Sequence, residues 1–175
     1  MKKLIMIGGP MGVGKSAVCW QLNRRLAQSV FLDGDWCWFS DPFVVTDNTK
    51  RMVLDNIGHV LQNFINSNAF RHIVFGWVMD ERGIIDAILD RLDTSGCEVI
   101  RVSLIADEAA LTARIEADVR AHAREADTIE RSLARLPKYQ ELDTVKIDTS
   151  ALSVEEVASE IIHIIENKAC ESHDV

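Results

Sequence analysis

Short apolar runs alternate along this chain with longer stretches in which apolar residues recur every three or four positions. Residues 3–7 form an apolar run stopped by glycines, the mark of a buried strand. Between residues 15 and 27, Val18, Cys19, Leu22 and Leu26 fall at helical spacing. A second strand over 30–32 is cut off by Asp33-Gly34-Asp35, and the aromatic segment DWCWFSDPF follows. A long helical pattern comes next, with Thr46 or Asp47 as its N-cap and Val53, Ile57, Val60, Leu61 and Phe64 on one face. Residues 71–78 predict a third strand. Asp80 is placed to cap a helix whose core face is Ile84, Ile85, Ile88, Leu89 and Leu92, and Thr94-Ser95-Gly96 stops it. A fourth strand over 99–105 leads to a helix around 111–119, a polar stretch to Asp127 and a helix over 128–136. After a short fifth strand at 145–147, Ser153 and Glu156 form a capping box for a last helix carrying Val157, Ile161, Ile164 and Ile165. Strands that read as unbroken apolar runs between helices predict an α/β domain with a mostly parallel sheet covered on both faces.

Composition narrows the picture. The 175 residues suffice for one core, so residues 1–175 are expected to form a single domain. A net charge of −8 argues against gripping a nucleic-acid backbone, and any anionic ligand must be held by a local site. The apolar run after Lys2 and Lys3 is too short for a secretory signal, and no stretch approaches the roughly 20 apolar residues of a membrane span, so no membrane partner and a cytoplasmic location are expected. Cys19, Cys37, Cys97 and Cys170 form no Cys-x-x-Cys pair, which predicts reduced thiols. His59, His72 and His163 sit within apolar patterns and are assigned to packing.

The stretch MIGGPMGVGKSAV, residues 6–18, carries the chemistry. Gly9-Pro10-Met11-Gly12-Val13-Gly14-Lys15-Ser16 satisfies G-x-x-x-x-G-K-[ST] between a predicted strand and a predicted helix, the setting that the phosphate-binding P-loop requires. Such a loop turns its amides toward a phosphate and adds the positive end of the helix. Gly9, Gly12, Val13, Gly14, Lys15, Ser16 and Ala17 are the expected nucleotide contacts, with Lys15 on the β- and γ-phosphates and Ser16 on Mg²⁺. ATP and Mg²⁺ are the expected ligands.

Asp33 and Asp35 close the second strand, beside the first strand-to-helix loop, where open α/β sheets hold their ligands. A carboxylate there binds Mg²⁺ or accepts a proton from an attacking hydroxyl. Their FLDGD segment resembles that of gluconate kinases and adenylylsulfate kinases, and the F-x-D-x-D of shikimate kinases. With the P-loop, the arginines past the fourth strand and the tail KIDTSALSVEEVASEI, the chain resembles small-molecule kinases of the nucleoside-monophosphate-kinase-like fold over nearly its whole length. The resemblance implies a three-layer α/β/α P-loop NTPase fold, a five-stranded parallel sheet in the order 2-3-1-4-5, and ATP- and Mg²⁺-dependent transfer of the γ-phosphate to a hydroxyl of a small molecule. It puts Asp33 near the metal, Asp35 at the acceptor hydroxyl, an acceptor-binding helical segment at about 36–68 and a lid at about 116–136.

Among Arg114, Arg120, Arg124, Arg131 and Arg135, the resemblance points to Arg120 and Arg124 as catalytic lid residues. An ion pair of Arg120 with Glu116 on a solvated helix is the competing reading. Trp36, Trp38 and Trp77 are the expected acceptor contacts beside Asp35. With Phe39 and Phe43 they suit a base, an aromatic antibiotic, the apolar face of a sugar or a core. Adenine is expected around 149–151.

The chain also departs from these families. Trp36-Cys37-Trp38 stands where gluconate kinases place a histidine. The Asp-Gly-aromatic-Pro-Arg of nucleoside-monophosphate kinases is replaced by FGWVMDERG, although Arg51 or Arg82 is available for an acceptor phosphate. No acid ends the third strand before Asp80, which makes Asp33 the second metal anchor. A nucleoside-monophosphate kinase, some antibiotic phosphotransferases of this fold, and a nucleotide-hydrolysing or nucleotide-binding switch are the alternatives. For the switch, Asn167-Lys168-Ala169-Cys170 lacks the aspartate of the guanine motif. The expected assembly is a monomer or homodimer.

Overall fold

A computed structural model describes residues 1–123, 125 and 127–171, with the side chains of 168–171 excepted. Strands β1 (Lys2–Gly8), β2 (Ser29–Asp33), β3 (His72–Gly76), β4 (Cys97–Ile105) and β5 (Val145–Asp148) pair in parallel in the order β2-β3-β1-β4-β5, the order that the kinase resemblance implied. β1 is central, with Ile5 opposite Val74 on one side and Ile100 on the other.

Alternation along β1 builds two cores. Ile5 and Ile7 face α1 (Lys15–Arg25), α4 (Glu108–Arg120) and α7 (Val154–Glu171), where Val18, Leu22, Ile115 and Ile161 are buried. Leu4 and Met6 face α2 (Asp47–Asn66) and α3 (Arg82–Leu89), packing with Val53, Ile57, Leu61 and Ile88. Burial on both faces is why β1 and β3 carry no polar alternation. Among the described residues, no helix is long and apolar enough to cross a membrane.

The caps show where local sequence decides and where it does not. Thr46 and Thr49 close α2 with reciprocal bonds of 3.1 and 2.9 Å, and Ser153 and Glu156 do the same before α7 at 3.2 and 2.8 Å. Asp80 departs from its expected role. The residue before α3 is Glu81, with no side-chain cap, while Asp80 turns inward with only 4% of its surface exposed. It meets Arg135 at 2.9 Å and Lys138 at 3.5 Å, because a buried carboxylate needs cationic partners more than a short helix needs a cap. The single helix expected over 128–136 is two, α5 (Thr128–Leu133) and α6 (Leu136–Glu141). Pro137 in the first turn of α6 has no N–H to continue α5 and is suited to begin a new helix.

Candidate active site

The glycine loop links β1 to α1. Gly12 sits at φ +80°, and a Cβ there would stand 2.4 Å from Ile115 Cγ1 of α4. Gly14, at φ +104°, precedes α1 and offers no side chain to its first amides. The dipole at this helix end favours an anion. Lys15 Nζ donates to the Pro10 carbonyl at 2.8 Å, across the loop. Beside it opens a cleft of about 430 Å³ lined by Gly12, Gly14, Lys15, Ser16, Ala17 and Arg114, among others. Gly9 and Val13 belong to the same loop; Val13 is buried, wedging it onto the core.

The two aspartates are brought to this loop. Ser16 Oγ donates to Asp33 Oδ2 at 2.8 Å, joining the first turn of α1 to the end of β2. Asp33 Oδ1 accepts the Asp35 amide at 3.1 Å, opening a 3-10 turn over Gly34–Cys37. Asp35 turns the other way, its Oδ1 accepting the indole N–H of Trp77 at 3.0 Å. This contact needs Gly34, since a Cβ there would stand 2.4 Å from Trp77 Cγ. Beneath, burial pushes the Cys19 thiol far up from its ordinary value, and the Asp33 charge adds to the effect.

Trp36 and Trp38 lie along the same segment. The Trp36 ring is 5.2 Å from that of Phe31, and the half-buried Trp38 is 4.8 Å from Phe43.

The arginines divide. Arg120 lies exposed at the end of α4, 3.7 Å from Glu116, the ion pair that competed with its lid role. Arg124 lies outside the described residues. Arg114, given no role by the sequence, reaches into the site: its Nη1 donates to Thr149 Oγ1 at 2.9 Å and its Nη2 to the Thr149 carbonyl at 2.5 Å. It also borders a second hollow of about 230 Å³ whose lining includes Val13, Val18, Leu152 and Val157. That mostly apolar slot adjoins the predicted base-binding loop, which is held by hydrogen bonds from the Ser150 hydroxyl and amide to Asp148 Oδ1. The same bonds hold the Asp148 carboxyl below the usual carboxylate range. The sequence signal for Arg114 was its place on the face of α4 shared by Leu111 and Ile115: a cation beside buried residues requires partners.

Opposite, a cleft of about 550 Å³ is lined by Lys50, Asp80, Glu81, Arg131, Arg135 and Lys138, among others. Lys138 bonds Glu81 at 2.7 Å, which holds the Glu81 carboxyl down and the Lys138 amine up from their ordinary values. Arg131 pairs with Asp127 at 3.3 Å on the surface. Ser132, fully buried, donates to the Met11 carbonyl at 2.6 Å and fastens α5 to the tip of the glycine loop.

A glycine loop between β1 and α1, Lys15 within it and a parallel sheet ordered 2-3-1-4-5 define a P-loop protein of the small-molecule-kinase fold. More particularly, the family described as AAA domain matches residues 5–134, and the chain belongs to that family. No curated protein matches the chain in sequence. Among solved structures it is similar to the Deinococcus radiodurans tunicamycin resistance protein, at 21% identity and TM-score 0.73 over 94% of this chain and 96% of that one. It is similar to a gluconokinase from Sinorhizobium meliloti 1021, at 22% identity and TM-score 0.71 over 98% of each chain. The Mycobacterium tuberculosis APS kinase, in complex with AMPPNP and APS, aligns at 16% identity and TM-score 0.66 over 94% of this chain and 98% of that one. At these identities the likeness is one of fold.

Proposed function

We propose that the protein is a phosphotransferase that moves the γ-phosphate of ATP to a hydroxyl of a small molecule. The observation that carries this reading is the 2.8 Å contact of Ser16 Oγ with Asp33 Oδ2 at the mouth of the glycine loop, with Asp35 two residues on. Two adjacent hard oxygen donors fit Mg²⁺, which is commonly held by one or two protein groups together with the nucleotide's phosphates. Among the described residues there is no larger cluster of His, Cys, Asp and Glu to suggest another metal. The metal would supply charge neutralisation at the β- and γ-phosphates.

Loop amides and Lys15 hold the phosphates. The apolar slot beside Arg114 receives the base. Asp35, braced by Trp77, orients the acceptor hydroxyl and takes its proton. The acceptor oxygen then bonds to the γ-phosphorus as the bond to the β–γ bridging oxygen breaks, and ADP leaves. The acceptor lies between Asp35 and the cleft of about 550 Å³ on the far side of the glycine loop from the base. The likeness to structures named gluconokinase and APS kinase supports the same reading.

The test is ADP release in the presence and absence of pooled sugars, nucleosides, nucleotides and antibiotics. Release should rise with one acceptor, and Lys15→Met should abolish it while leaving the circular dichroism spectrum unchanged. Full activity in Lys15→Met, or hydrolysis indifferent to every acceptor, overturns the proposal.

A further inference from the structure

Apart from Met1 and Val145, the exposed large apolar side chains of the described residues are Trp20, Trp36, Phe39, Phe43, Val44, Val45 and Met52. All but Trp20 lie in one stretch that begins immediately after Asp35. Phe39 is 99% exposed and Phe43 60%, values at odds with the other phenylalanines of the chain, which are buried or partly buried.

The stretch is also tethered. Asn56 Nδ2 donates to the Cys37 carbonyl at 3.2 Å, and Thr49 Oγ1 to the Val44 carbonyl at 2.9 Å. The chain is therefore anchored to α2 at Cys37 and Val44, while Phe39, Phe43, Val44 and Val45 stay exposed.

Its position identifies the occupant. The segment starts at Asp35 and ends at the first turn of α2, where Lys50 lines the cleft of about 550 Å³. Phe39 is four residues from Asp35, within about 14 Å even along a fully extended chain. A second protein copy seated on this segment would crowd the approach of any acceptor to Asp35, whereas an acceptor with an apolar body would use both features together.

We infer that the phosphoryl acceptor is an amphiphile: its hydroxyl meets Asp35 while an apolar portion, aromatic or alkyl, covers Phe39, Phe43, Val44 and Val45. This rests on the phosphotransferase reading and adds the acceptor's class to it.

The four tryptophans of the chain, Trp20, Trp36, Trp38 and Trp77, lie along or beside this region, so intrinsic fluorescence reports on it. The full chain, saturated with a non-hydrolysable ATP analogue and Mg²⁺, is titrated with n-alkyl β-D-glucosides from methyl to octyl, below micelle-forming concentrations. Half-saturation should fall about two- to fourfold for each methylene, the range from half to full burial of that group. Phe39→Ser combined with Phe43→Ser should flatten the dependence while leaving calorimetric binding of the ATP analogue unchanged.

A flat series with the wild-type chain overturns the inference, as does an equal slope in the double variant, which would put apolar binding elsewhere. Sedimentation showing a wild-type dimer that the double variant dissociates also overturns it, since the surface would then be covered by a second copy. Failure of the ATP analogue to bind at all sinks the phosphotransferase reading instead, by a separate measurement.

Discussion

Gly12→Ala would test how α4 and the glycine loop are fitted together. The backbone at φ +80° disfavours any L side chain, at a cost of about 1–2 kcal/mol. The new Cβ would also stand 2.4 Å from Ile115 Cγ1, overpacking a fully buried contact at a cost of about 1–3 kcal/mol. Together these predict a loss of about 2–5 kcal/mol, a large part of the roughly 5–15 kcal/mol that holds such a domain folded. Ile115→Ala alone should cost about 2–5 kcal/mol through the space it empties. In the double variant the methyl added at position 12 enters that space, so the steric part vanishes and only the dihedral part remains. The two losses should therefore fall short of additive by about 1–3 kcal/mol, the size of the overpacking cost, measured as unfolding free energies in urea at equilibrium. Should Gly12→Ala prove too unstable alone, a cycle with Ile115→Val in a stabilising osmolyte reports the same coupling at smaller size. Additivity within about 0.5 kcal/mol would refute the claim that Ile115 is what fixes glycine at this position.

Asp35→Asn should cut kcat by two orders of magnitude or more, as expected on losing a group that takes a proton in the transition state, with little change in the affinity for an ATP analogue. Lost nucleotide affinity with normal turnover would assign Asp35 to binding instead. Arg135→Ala strands the Asp80 carboxylate with Lys138 as its remaining cationic partner in the salt bridges described, and should cost about 2–4 kcal/mol in urea unfolding. Adding Asp80→Asn should recover part of that loss, and no recovery would mean that the charge is not its cause. The buried Cys19 thiol keeps its proton where the unfolded chain, titrating near 9.0, has lost it. Unfolding there releases a proton, so this contribution is fully present below pH 9 and declines above it by about 1.4 kcal/mol per pH unit. Cys19→Ala should remove that slope from urea midpoints taken between about pH 8 and about pH 10.5, on either side of the unfolded thiol's titration, and unchanged slopes would contradict the burial.

The sheet and its helices were legible because β1 and β3 are covered on both faces and so appear as unbroken apolar runs, while β4 keeps an apolar majority around Arg101 and Ser103. The glycine loop was legible because all its parts lie within a few residues of one another. Features set by distant partners were not. Asp80 reads as a helix cap from its neighbours, but Arg135 and Lys138 draw it inward. Asp33 and Ser16 each suggested a metal, while their contact depended on how β2 ends beside α1. Arg114 and Arg120 lie six residues apart on one helix, and only the packing of Leu111 and Ile115 decides which of them faces the loop. The break between α5 and α6 had a local sign in Pro137, outweighed by the apolar periodicity on either side.

The bond from Ser132 to Met11 would constrain any swing of α5 relative to the glycine loop. A rigid arm swinging from the end of α4 would carry α5 with it and strip a buried hydroxyl of its acceptor in the glycine loop. Motion that spares this link would have to leave α5 in place. Motion that breaks it would drag on the cradle itself, making the ease of nucleotide exit depend on where the arginine-bearing helices stand.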